Sequence, residues 1–352
     1  MKKLCVSAIA GCLALNAVPV FSADEDHWGF IDKTGKMVIA ANFANAGDFA
    51  EGLAPVEVNG KWGYIDKLGS FVIKPQYEEA HAFSEGLAAV TPSVPDEKTD
   101  VARWELANAR RGKWGFIDKT GKLVIEPQFE RVDCFKEGLA KVHGESDTGY
   151  INRDGKFVIR GEFESQTNFG DGLAAVSSGS AGIVMSGEQD GEYDSSLPFR
   201  FIDTSGKMVI PAQFNSVTIF SEGMAAVGLG HIQNTQDRWG FINKQGKLVI
   251  EPQFNAASRF SQGLAAVQTG HYNKLGFGYK SWLADKWGYI NKNGKMVIAS
   301  VYDGADPFSD NLASVKSGTK WGFIDSAGTL VISPQYKASG KFCDGLAPVE
   351  TF

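Results

Sequence analysis

The chain has 352 residues, 43% hydrophobic and 22% charged, the balance of a folded soluble protein rather than a disordered tail or a membrane bundle. Its net charge of −6 argues against a nucleic-acid groove or a surface for anionic membranes. Glycine (41) and phenylalanine (24) are in excess, a combination that goes with many tight turns between short strands.

Residues 1–22 read as a bacterial secretory signal peptide. Met1-Lys2-Lys3 is basic, Leu4 to Val20 is largely apolar, and acidic Asp24-Glu25-Asp26 follows a cleavage point after Ser22 or Ala23. Ile9-Ala10-Gly11-Cys12 resembles a lipoprotein lipobox. Cys12 sits early, however, and apolar residues continue past it, so the ordinary signal is favoured over a lipid anchor. The expectation is an exported protein, periplasmic or secreted, with no integral membrane segment in the mature chain. Cys134 and Cys343 then remain, and their spacing leaves open whether they pair.

Residues 23–352 form one domain of eight units. Trp28-Gly29-Phe30-Ile31-Asp32 recurs at Trp62, Trp114, Trp239, Trp287 and Trp321, with degenerate copies at Thr148 and Phe199. The base period is 34 residues, as from Phe30 to Tyr64. Each unit opens on this alternating stretch, which predicts a strand. Asp-x-x-Gly-Lys then predicts a turn with Gly at positive φ. A second strand such as Leu123-Val124-Ile125 follows, often ending in Pro-Gln-aromatic, where proline marks a strand end or an edge. The connector carries apolar residues three apart (Phe43, Ala46, Phe49), which fits a helical turn or a short irregular strand. It ends in a Glu-Gly-Leu-Ala turn, and a last short strand such as Leu87-Ala88-Ala89-Val90 leads to the next Trp-Gly. Four units are longer. Their extra residues lie at Thr91–Arg111, Ser177–Pro198, Gly228–Arg238 and Gln268–Lys286, all between this last strand and the next Trp-Gly. Insertions at one position of a repeat project from one face, the default binding surface.

Lys61-Trp62-Gly63-Tyr64-Ile65-Asp66-Lys67 and Lys113-Trp114-Gly115-Phe116-Ile117-Asp118-Lys119 resemble the WG-repeat (KWG-repeat) family of bacterial β-repeat proteins. The resemblance covers essentially everything after residue 22. It implies an exported or envelope-associated interaction module and brings no catalytic residues.

The fold class expected is all-β: eight antiparallel β-meander repeats, with a propeller-like closed ring favoured over an open β-solenoid of hairpins. The first unit begins at its Trp-Gly strand, and the last ends in a spare strand, Gly345-Leu346-Ala347-Pro348-Val349. Pairing the two would close the ring, and no capping segment is visible.

No catalytic, cofactor or metal motif emerges. The five histidines lack zinc spacing, and neither a nucleophile elbow nor a phosphate loop is present. The Asp/Asn series Asp32, Asp66, Asp118, Asn152, Asp203, Asn243, Asn291 and Asp325 reads as turn chemistry rather than calcium ligation. The acidic residues before the turn glycine (Glu51, Glu85, Glu137, Asp171, Glu222) read as solvated turn residues, with a ring of charge as the alternative. Tryptophans in register with the repeat read as core. Trp104 and Trp282 follow no repeat rule. With His231, His271, Tyr272 and Tyr279 they are the candidate binding residues of the insertions.

The expected function is a non-enzymatic exported scaffold that binds another envelope or extracellular protein. Glycan or peptidoglycan binding through the insertion aromatics is the alternative. A hydrolase built on the insertions is a weaker third, since no nucleophile and base pair up.

Overall fold

A computed structural model describes residues 27–93, 112–145, 147–161, 163–177, 198–229, 238–270, 272–274, 280–282 and 285–352; for 272–274 and 280–282 only backbone pairing is described. Among the described residues every regular element is a strand and all pairings are antiparallel; six four-stranded sheets and one seven-stranded sheet, which divides into two such units at a shared strand, give eight repeats, beside one small two-stranded sheet. The sheets are numbered here by their Trp-Gly strands, so sheet 1 holds Trp28–Asp32 and sheet 8 holds Lys320–Ile324. No helix among the described residues is long and apolar enough to cross a membrane.

Sheet 8 shows the common plan. The strand order is Gly304–Ala305, Ala313–Ser317, Lys320–Ile324, Leu330–Tyr336. The connector is thus a two-residue strand, the shorter of the two expected forms. In sheets 2 and 3 the long strand Phe71–Ala80 serves both, its last residues being the short strand of sheet 3. The outermost strand is an edge, and Pro75, Pro127, Pro252 and Pro334 sit on it, where no ladder donor is missed. Its Val residues, among them Val72, Val124 and Val331, face solvent.

The two ends of the array meet. Trp28–Asp32 pairs with Leu346–Glu350 over five residues, and Ala338–Ser339 completes sheet 1. The C-terminal part therefore supplies two strands of sheet 1, one more than the spare strand implied. Thr351 N–H also donates to His27 O at 3.1 Å. This end-to-end pairing is the one that the favoured closed ring called for.

Packing between sheets repeats at every joint, because each Trp-Gly strand buries its central aromatic against the next connector. Phe30 meets Phe49 edge-on at 4.9 Å between ring centroids, Phe116 meets Phe135 at 4.9 Å, and Phe323 meets Phe342 at 4.8 Å across the joint from sheet 8 to sheet 1. Where the aromatic is Tyr, its hydroxyl finds a carbonyl, as Tyr64 does at His81 O (2.8 Å) and Tyr150 at Thr167 O (2.7 Å). The Leu-Ala-Ala-Val strands are almost wholly buried, so their small residues let neighbouring sheets approach. Trp239 is fully buried, and Trp28, Trp62, Trp114 and Trp287 pack against apolar clusters, as expected of core tryptophans.

Candidate binding faces

A four-stranded meander sends its loops alternately to two faces. The first face carries the hairpin between the Leu-Ala strand and the Trp-Gly strand, the site of all four insertions. In sheet 2 this hairpin is minimal. Asn59 and Gly60, both at positive φ (52° and 70°), join the paired residues Val58 and Lys61. In the longer units the described strands reach Pro92, Ser177, Leu229 and Thr269 and resume at Trp114, Phe199, Arg238 and Lys286. Each insertion is therefore one or two residues shorter at its start than the sequence boundary suggested.

The feet of these hairpins are tied between sheets by a relation of 17 residues. Lys61 pairs with Glu78 (2.7 Å), Lys113 with Glu130 (3.5 Å), and Lys286 with Asp303. Arg238 reaches Asn255 in the same relation, and Asn255 donates to Asp285 at 2.9 Å. The hydrogen bond that Lys113 donates to Glu145, with the charges of Glu145 and Glu130, raises the Lys113 pKa. Hydrogen bonds from Lys286 and from Gly318 N–H lower that of Asp303. The lysine of Lys-Trp-Gly is thus an anchor for the rim of this face, a role the sequence reading missed although the fixed spacing was visible.

Of the candidate residues, Trp104, His231, His271 and Tyr279 lie outside the described residues. Tyr272 and Trp282 are brought together as a cross-strand pair in the small two-stranded sheet of Tyr272–Lys274 and Lys280–Trp282.

The second face carries the two turns of each unit. In the Asp-x-x-Gly turn the carboxylate or amide oxygen accepts backbone N–H groups two and four residues on. Asp118 Oδ1 takes Thr120 N (2.9 Å) and Lys122 N (3.1 Å), and Asn291 Oδ1 takes Asn293 N (3.0 Å) and Lys295 N (3.1 Å). The same pattern holds at all eight positions. These bonds engage Oδ1 of each side chain in the turn, the local chemistry expected of the series. The Thr34, Thr120 and Ser205 hydroxyls, with the turn amides, hold Asp32, Asp118 and Asp203 below the usual carboxylate range.

The Glu-Gly turn does more than the sequence reading allowed. Glu51, Glu85, Glu137, Asp171, Glu222, Gln262, Asp310 and Asp344 all adopt φ between 50° and 56°. That backbone turns each side chain towards the following sheet, where it accepts the N–H of the equivalent turn. Gly86 donates to Glu51 (3.1 Å), Gly138 to Glu85 (2.9 Å) and Gly345 to Asp310 (2.7 Å). Gly52 donates to Asp344 at 2.7 Å, so the sequence of clasps is unbroken around the ring. Lys119 and Lys292 add ion pairs to Glu51 and Glu222 at 3.0 and 3.1 Å. For Glu51, burial opposes ionisation. The Lys119 ammonium and Gly86 N–H outweigh it and lower its pKa.

Six of the eight connectors wall a cavity of about 250 Å³, with residues at or beside their phenylalanines. Asp48, Lys136, Arg259 and Lys341 contribute charge, and Cys134 and Cys343 contribute thiols. Neither of the two is in a disulfide with another described residue. Cys343 Sγ lies 3.6 Å from Ser309 Oγ, and burial raises its pKa, with Asp48 adding to the effect. Among the described residues no three His, Cys, Asp or Glu side chains cluster as metal ligands.

The model of the WG containing repeat matches eight times, at residues 28–62, 62–91, 114–142, 149–180, 199–230, 239–271, 287–321 and 321–351. No curated protein matches the chain. Among solved structures, a eukaryotic initiation factor is similar over 90% of this chain and 87% of its own, at 9% identity and a TM-score of 0.52. Hsv2p of Kluyveromyces lactis is similar over 80% and 92%, at 9% identity and a TM-score of 0.44. The WD40 domain of Pan2 from Neurospora crassa covers 94% and 97%, at 11% identity and a TM-score of 0.37. At such identities the first of these speaks for the fold alone.

Proposed function

The chain belongs to the family of WG containing repeats, and from that premise we propose that it is a non-enzymatic scaffold, exported to the bacterial envelope, that binds another envelope or extracellular protein through its insertion-bearing face. One observation carries the reading. The repeat-specific side chains of the second face are consumed in holding the ring together, whereas every departure from the base period emerges on the first. Ion pairs of Lys113 with Glu130 and of Lys286 with Asp303 stand at the feet of two of those departures. The apolar start at residues 1–22 supports export, periplasmic or secreted, ahead of lipidation at Cys12. Glycan binding is the second reading, favoured by the cross-strand pairing of Tyr272 with Trp282.

The test replaces each insertion by the Asn-Gly hairpin of sheet 2 and compares capture from envelope extract. Proteins held by the complete chain and lost by the trimmed ring support the proposal. Equal retention by both overturns it. Retention of purified cell wall, abolished by Tyr272→Ala with Trp282→Ala, replaces it with the glycan reading. Mass spectrometry of the mature N-terminus checks export: a start after Ser22 or Ala23 is expected.

A further inference from the structure

The joint between sheets 4 and 5 departs from the common plan of the repeat. Three substitutions coincide there. Thr148 stands where six units have Trp, Gly161 stands where four have the edge proline, and Arg200 stands where the other seven have the strand glycine. The repeat tryptophans of sheets 1, 2, 3, 6 and 7 pack against the apolar clusters of the joints that follow, whereas in the joint after Thr148 it is Phe163 that packs against the cluster. The Thr148 hydroxyl bonds to Gly161 O and takes Phe163 N–H at 3.1 Å. At Gly63, Gly115, Gly240, Gly288 and Gly322 an added Cβ would lie 2.5–2.6 Å from a carbonyl oxygen of the neighbouring strand, yet sheet 5 carries a full arginine at this position.

A cleft of about 370 Å³ lies at this joint, at the lower end of the range for small-molecule sites. Ile159, Phe163, Ile202 and Met208 give it an apolar wall. Arg160 and Arg200 are its charged lining residues. Arg160 is already engaged, with Asp147 at 2.8 Å and with the Phe157 ring, whose centroid is 4.6 Å away. No carboxylate among the described residues pairs with Arg200. A planar, permanently charged fork beside an apolar wall matches a carboxylate carried on an apolar body, which satisfies the fork bidentately and covers the wall.

We propose that the joint between sheets 4 and 5 is a binding site for a small carboxylate with an apolar chain, with Arg200 as its anion-recognising residue. None of the lining residues belongs to an insertion, so the proposal does not rest on the insertion face. The probe is octanoate, titrated into the complete protein and followed by NMR, with octanol as the uncharged control. Arg200→Gln keeps the size of the side chain and removes its charge, and Arg200→Gly restores the residue of the other seven units. Saturable binding of octanoate, weakened about tenfold or more by either variant at unchanged melting temperature, is the expected result. Absence of saturable binding overturns the proposal. So does equal affinity of Arg200→Gln, or octanol binding as tightly as octanoate. Gly161→Pro provides a second check: by returning the edge residue to the cleft it should weaken octanoate while leaving the clasp ring intact.

Discussion

At the scale of single residues, glycine has different duties at different places, and the difference is measurable. Gly155 has φ 75°, and a Cβ there would lie 2.9 Å from Ile125 Cγ2 of the preceding sheet. Gly52 has φ 88° with open space around it. Gly52→Ala should cost only backbone strain, about 1 kcal/mol, whereas Gly155→Ala adds a clash and should cost about 2 kcal/mol or more. Urea titration of both variants checks the order. The Asp-x-x-Gly turn was legible in the sequence because its chemistry is local: oxygen, turn amides and glycine lie within five residues. Arg200 was visible as a broken repeat, but its surroundings come from the adjoining sheet and were not.

Between elements, the acidic clasp is the device that joins one sheet to the next. Glu51→Ala removes the acceptor of Gly86 N–H and the partner of Lys119, and should destabilise by about 1 kcal/mol, with faster hydrogen exchange at Gly86. Glu51→Gln should cost less, because Gln262 already fills this role naturally, accepting Asn311 N–H at 3.0 Å. The pH dependence follows from the lowered pKa of Glu51, Asp32, Asp118, Asp203 and Asp303. A carboxylate with a lowered folded-state pKa contributes fully above its unfolded value, about 4, and loses that contribution as pH falls through the folded value. Calorimetry should show a melting temperature steady at neutral pH that declines below about pH 4, with a shallower decline in Glu51→Gln. The aromatic joint is the apolar counterpart. Phe135 is fully buried against Phe116, so Phe135→Ala should cost about 3–5 kcal/mol in urea titration.

For the whole molecule, closure is the property to test. Sheet 1 is assembled from both ends of the array, so removing Leu346–Phe352 leaves Trp28–Asp32 without one of its two partners. It also removes Gly345, if the cut is made one residue earlier, and with it the Asp310 clasp. The truncated protein should melt lower and in more than one step. Its small-angle scattering should show a larger radius of gyration, because neighbouring sheets can then fray one at a time from an open end. An unchanged, single-step transition would mean that the joint from sheet 8 to sheet 1 contributes little.

The amino-acid sequence by itself determined the strands, their turns, the number of units and the position of the insertions, since each rests on alternation, turn chemistry or period, all local to a 34-residue unit. It also marked the units at Thr148 and Phe199 as degenerate copies. Tertiary structure alone decided what spans the joints. The 17-residue ion pairs, the clasps from each acidic turn to the next sheet, the cavity among the connectors and the cleft at Arg200 all join residues whose distance depends on how one twisted sheet is laid against another. That placement comes from the summed packing of the Phe pairs and the buried Leu-Ala-Ala-Val strands, a non-local quantity. The same packing sets how far the array turns at each joint, and so whether eight units end apart or end with Leu346–Glu350 beside Trp28–Asp32.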